Sequence, residues 1–177
     1  MKKVKTDLLE MAYLEAGENN DNVVLLIHGW PDDATTWTAV MSSLVNAGFR
    51  AIAPFSRGFG ETRFLNKDTP RTGNPGRLAM DLIALLNALN IDNFQVVGHD
   101  WGSNAAEALA VGWPERVKKM AQLSTPSRLG GLPTPPFKHA QLEWYHWFQA
   151  TKRGAAAVRK DPVGFAKIMW DNWSPKS

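Results

Sequence analysis

The 177 residues, 44% of them hydrophobic, suffice for one packed core and leave no room for a second full domain. The formal charge of +3 is scattered, with local density only at Lys2, Lys3, Lys5 and at Lys118, Lys119, which excludes the contiguous basic face a nucleic-acid partner needs. The lack of cysteine excludes a disulfide framework, a thiolate zinc site and a thiol nucleophile; with Asp7 and Glu10 breaking any apolar stretch behind the basic start, the expectation is a cytoplasmic chain without an export signal or membrane span.

Val4 to Ala16 alternates loosely and stops at Gly17, which predicts one or two opening strands, arranged as a hairpin if two. Val23 to Ile27 is a continuous apolar run ending in His28-Gly29, the pattern of a central strand covered on both faces. From Thr35 to Ala47, Trp37, Val40, Met41, Leu44 and Val45 recur at helical spacing before Gly48. A second buried strand is predicted over Phe49 to Phe55, followed by the turn Arg57-Gly58-Phe59-Gly60. That turn lacks the third glycine and the immediate helix of a dinucleotide fingerprint, and reads as structural, near the edge of a site. Pro75 to Asn90 carries leucines at helical intervals behind a proline suited to a first turn. Phe94 to Val97 is a third buried strand, Ser103 to Val111 a helix of small residues, and Val117 to Leu123 a fourth buried strand. Strands alternating with helices imply βαβ units, hence a doubly wound, mainly parallel sheet over residues 1–124. From Thr125 the texture changes. Pro126, Gly130, Gly131, Pro133, Pro135 and Pro136 mark a connector, after which helical segments are predicted at Lys138 to Thr151, Arg153 to Arg159 and Pro162 to Trp170.

The chemistry is concentrated in Gly98-His99-Asp100-Trp101-Gly102, between a strand and a helix. Gly-x-nucleophile-x-Gly in that setting is a nucleophile elbow, in which Gly98 and Gly102 permit a tight turn that lifts the central side chain above the sheet. Aspartate stands where serine is usual. A carboxylate at a helix N-terminus is stabilised as the anion, and an anion needs no base before attacking carbon. Its natural electrophile is a saturated carbon bearing a leaving group. The product is an alkyl ester of Asp100, which water hydrolyses under a histidine base while amide donors hold the oxyanion. The competing reading makes Asp100 an ordinary helix cap; the strand, elbow and helix together favour the nucleophile. His28-Gly29-Trp30-Pro31 closes the preceding central strand, and in this pattern the oxyanion donors are the amides of Trp30 and Trp101. His28 reads as a residue tying down its own loop. For the Trp30 side chain, a place beside the nucleophile and a plain core position both stand open.

Together with Trp37, Arg57-Gly58-Phe59-Gly60, Ser103 and Pro114-Glu115-Arg116-Val117, these motifs resemble the epoxide hydrolase and haloalkane dehalogenase branch of the α/β-hydrolases, from about Leu9 onward. The resemblance implies an α/β-hydrolase fold, with residues 1–124 as part of the core and residues 125–177 as connector and the start of a helical lid, or cap. It implies a small apolar substrate, an epoxide or an alkyl halide, with Trp101 and Trp30 at the substrate. Trp101 suits both chemistries; an aromatic at Trp30, where dehalogenases commonly have asparagine, favours the epoxide. Epoxide opening further requires an acid for the alkoxide, and Tyr145 lies in the matching lid region, with lid packing as its alternative role.

The chain departs from that pattern in one respect. The order nucleophile, acid, histidine is expected, yet only His139 and His146 follow Asp100, both in lid segments, and Ser124-Thr125-Pro126-Ser127 holds no carboxylate. Acid and base are therefore expected beyond residue 177, the last strands of the sheet with them, leaving Val117 to Leu123 as an apolar edge open to self-association. No cofactor and no metal is expected. A non-catalytic protein that uses the hydrolase pocket for binding is the rival from another class.

Overall fold

The structure, a computed structural model, describes residues 1–125, 127 and 136–174. The opening segment is a hairpin of β1 (Lys2–Lys5) and β2 (Leu9–Ala16), its turn closed by the Thr6 amide donating to the Leu9 carbonyl. The apolar run becomes β3 (Asn22–Ile27), with every residue from Val23 to Ile27 buried. Asp33 caps the next segment by accepting from the Thr35 amide, and a 3-10 turn (Ala34–Trp37) precedes α1 (Thr38–Asn46), so the single helix predicted from Thr35 begins as a tighter coil. β4 (Phe49–Pro54) follows, then β5 (Arg63–Phe64), a two-residue strand without a sequence signal that pairs with β2. Asn74 caps α2 (Pro75–Ala88), and β6 (Phe94–His99), α3 (Trp101–Gly112) and β7 (Val117–Leu123) complete the series.

The seven strands form one mixed sheet in the order β1-β2-β4-β3-β6-β7, with β5 on β2. β4, β3, β6 and β7 run parallel; the others are antiparallel. Both faces are covered. Val23, Leu25, Ile27 and Val96 pack with Leu82, Leu85 and Leu86 of α2 and Ala105, Ala106 and Leu109 of α3. Val24, Leu26, Ala51 and Ala53 pack with Ala34, Trp37 and Met41 on the other side. Each fully buried aliphatic side chain contributes about 1.5–3 kcal/mol, which is why a run apolar at every position holds the centre of the sheet. After β3 the chain crosses to β4 on one side and later to β6 on the other, so a crevice opens beyond the carboxyl ends of β3 and β6. β7, whose composition is that of a buried strand but which is expected to be left as an edge, is the last strand in the order and is largely exposed, with Met120 and Leu123 39% and 45% accessible.

The chain divides into two compact units, Met1–Arg128 and Leu129–Ser177. Most of the predicted Pro/Gly-rich connector lies outside the described residues. The second unit holds α4 (Phe137–Leu142), α5 (Trp144–Ala150), α6 (Lys152–Lys160) and α7 (Pro162–Trp173). The segment predicted as one helix from Lys138 is thus two, interrupted at Glu143. Thr151 and Asp161 cap α6 and α7 by accepting from the Gly154 and Gly164 amides. Trp144, Phe148 and Phe165 form an aromatic cluster between α5 and α7.

Candidate active site

Asp100 stands between β6 and α3 with φ 54° and ψ −119°, a left-handed conformation costly for a residue with a Cβ. Its neighbours hold it there. The Asp100 amide donates to the Leu123 carbonyl at 3.1 Å, and the Asp100 carbonyl accepts from the Ser103 amide at 2.9 Å and from Thr125 Oγ1 at 3.3 Å. The Ser103 hydroxyl lies 2.7 Å from the Gly98 carbonyl and 2.9 Å from that of Leu123, and accepts from the Leu123 amide at 3.1 Å, so one buried side chain ties β6, β7 and α3 together.

Glycine is required at the two flanking positions by backbone crowding. A Cβ on Gly98 would strike the Gly102 carbonyl, and one on Gly102 would strike the Ile27 carbonyl. α3 therefore presses its first turn directly against β3 and β6, and the predicted elbow is built by that approach. It begins at Trp101, two residues before the predicted start, because Asp100 itself takes the cap position.

The side chain of Asp100 makes no capping bond to α3. Oδ1 accepts instead from the backbone N–H of Trp30 at 2.8 Å, across 70 residues of sequence. Gly29 allows this, because a Cβ there would collide with the Asp100 side chain. The loop after β3 and the elbow after β6 thus meet at the crevice. Asp100, Trp30 and Trp101 are each partly accessible, and Trp101 opens α3 directly beside the carboxylate. The positive end of the dipole of this 12-residue helix faces the acid and stabilises its negative charge. The Trp30–Pro31 peptide bond is cis.

His28, 2% exposed, sits below this loop. Its Nδ1 is 2.8 Å from the Gly29 carbonyl, and its Nε2 accepts from the Ser56 amide at 3.1 Å, which makes it the Nδ1–H tautomer. Burial pushes its pKa below the ordinary histidine value, opposed by the Gly29 carbonyl and by Asp33 and Asp32. Phe59 of the Arg57-Gly58-Phe59-Gly60 turn meets the ring edge-on at 4.8 Å. That turn is fixed by Arg57, whose guanidinium forks onto buried Asp81 at 2.6 and 2.8 Å while Arg77 approaches the same carboxylate at 2.8 Å.

The structure therefore brings together Asp100, Trp30, Trp101, His28, Gly29, Pro31, Gly98 and Gly102 in the first unit. Tyr145 belongs to the second, where it is buried on α5 with its ring against His146 and Trp173. Sequence reading missed Ser56 and Thr125 as supports, and placed Phe59 only within a structural turn near the edge of a site. Ser103 was named only as part of a motif; a hydroxyl three residues past Asp100, at a depth where only small residues fit, is the signal that marks it.

The family model described as "alpha/beta hydrolase fold" matches residues 22–168. An epoxide hydrolase from Caballeronia sordidicola is 42% identical over 103 residues, covering 58% of this chain and 31% of that protein. Epoxide hydrolase A from Mycobacterium tuberculosis is 32% identical over 165 residues, covering 90% of this chain and 51% of its own length. The crystal structure of a candidate epoxide hydrolase from Klebsiella pneumoniae superposes with a TM-score of 0.88 at 35% identity, covering 99% of this chain and 61% of that one. The chain thus spans roughly a third to three fifths of these relatives' lengths.

Proposed function

The chain belongs to the α/β-hydrolase fold family, and from that premise we propose that Asp100 is the nucleophile of an epoxide hydrolase-like reaction on a small apolar substrate. The observation that carries this reading is the Asp100 side chain itself. Placed at a helix N-terminus, it leaves the helix uncapped and accepts instead, through Oδ1, from the Trp30 amide of the facing loop. A mere capping residue would spend its oxygens on the first turn of α3.

In the first step a carboxylate oxygen attacks one epoxide carbon, the C–O bond of the ring breaks, and the alkoxide takes a proton from an acid. The product is a hydroxyalkyl ester of Asp100. Tyr145 is proposed as that acid in the whole protein, by its place in the lid. In the second step water adds to the ester carbonyl, and the charge that develops on the Asp100 oxygen falls to the Trp30 amide already lying on it and to the amide of Trp101. A histidine base and its orienting acid are required for that step. His28 does not supply it, since both of its ring nitrogens are engaged. The names of the relatives given above support an epoxide over an alkyl halide.

The test is intact-mass spectrometry after incubation with a terminal epoxide, with a primary alkyl bromide in parallel. One adduct of the epoxide's mass, mapped to Asp100 and absent from Asp100→Asn, is expected. An adduct that survives Asp100→Asn, or none with either reagent, would refute the assignment.

A further inference from the structure

The carbonyl of Gly29 and the N–H of Trp30 belong to one trans peptide unit, which is planar, so its oxygen and its hydrogen point in opposite directions. The oxygen faces His28 Nδ1 at 2.8 Å and the hydrogen faces Asp100 Oδ1 at 2.8 Å. Neither bond can tilt without the other. The far side of the ring is fixed as well, because Nε2 accepts from the Ser56 amide, beyond β4, and Phe59 closes over it. Donation from Nδ1–H onto the peptide oxygen also polarises the unit and strengthens its N–H as a donor.

On the reading of Asp100 as nucleophile, we propose that His28 is a positioning residue whose uncharged ring locks the Gly29–Trp30 peptide so that its N–H holds the Asp100 carboxylate in its attacking orientation. The charged groups acting on the ring are Asp33 and Asp32 of its own loop; from the segment after β4 it meets only the Ser56 amide and the Phe59 ring, both neutral. A proton on Nε2 would set N–H against the Ser56 N–H. The ring then has to turn, and the Gly29 carbonyl loses the partner that sets the plane. Acid therefore unlocks the carboxylate through the His28 ring. Burial already resists that proton, which keeps the lock closed at neutral pH.

The experiment is a titration of the isotopically labelled full chain from pH 8 to 5, following the His28 ring nitrogens and the Trp30 amide by NMR, with the rate of Asp100 alkylation by a terminal epoxide measured alongside. The expected result is an Nδ1–H ring at neutral pH, a Trp30 amide shift that inflects at the ring's own midpoint, and an alkylation rate that falls over the same interval. His28→Asn keeps a donor near the Nδ1 position and removes the titration. Its alkylation should be about tenfold slower at pH 7.5, short of the ~100-fold that a 1 Å misplacement of a reacting group brings, and should lose the acid inflection. A Trp30 amide unmoved through the His28 titration overturns the proposal, as does wild-type alkylation by His28→Asn; if that variant does not fold, the wild-type titration decides alone. Absence of adduct at every pH, with Trp30 still following His28, would reject Asp100 as nucleophile and leave the locking of the peptide standing.

Discussion

Removing the carboxylate of Asp81 should unfold a large share of the molecules under mild denaturation, for a reason that lies 24 residues away. Asp81 accepts Arg57 Nε at 2.6 Å and Nη2 at 2.8 Å, and both side chains are only 4% accessible. In Asp81→Ala the Arg57 guanidinium stays buried without a counter-charge, left with the Thr72 carbonyl at 2.7 Å and that of Pro70 at 3.4 Å. Stranding one member of a buried pair costs about 3–5 kcal/mol, against a total stability of about 5–15 kcal/mol for an ordinary domain. Arg77 reaches the same carboxylate from a side chain 24% exposed, so Arg77→Ala should cost about 1 kcal/mol or less. In urea, with a slope of about 2 kcal/mol/M, the midpoint should drop by about 2 M for Asp81→Ala and by about 0.5 M or less for Arg77→Ala. Equal shifts in the two variants would refute the reasoning, since the difference rests entirely on burial.

Gly102→Ala forces a methyl group into the Ile27 carbonyl, which no rotamer can avoid; a loss of about 1–3 kcal/mol in urea melts and loss of the Asp100 adduct are expected. His28 is held neutral with its pKa below the unfolded value, so its contribution to stability is complete above about pH 6.5 and is lost as the pH falls through the folded value. Urea midpoints at pH 7.5 and 5.5 should therefore fall further for wild type than for His28→Asn. β7 has β6 on one side and no strand on the other among the described residues, with Met120 and Leu123 exposed. Self-association through this edge is expected, and light scattering should show Met120→Lys to be the more monodisperse.

What was legible in the sequence was what repeats or crowds locally. Val23 to Ile27 announced a central strand because five successive apolar residues fit little else of that length, and Gly98 and Gly102 announced the elbow because both are excluded from bearing a side chain by neighbouring backbone. Long-range pairings left no such trace. Nothing near Arg57 points to Asp81, and nothing in Gly29 reveals that its missing Cβ makes room for a side chain 71 positions later. The two-residue β5 is shorter than any period, and the break at Glu143 falls inside an aromatic run that is helical on both sides of it. β7 was legible only in part: Met120 and Leu123 have the character of a covered strand, while its place as an edge depends on what lies alongside rather than on composition.

The bond between Trp30 and Asp100 joins strands that neighbour each other in space but are separated by the 3-10 turn, α1, β4, β5 and α2 along the chain. Closing so large a loop is entropically slow, and nothing local rewards it until β3 and β6 zip together in register. Helices and the opening hairpin can form earlier on their own. During refolding, capture of an electrophile by Asp100 would therefore lag behind recovery of helical circular dichroism, and the interval between them would time the pairing of β3 with β6.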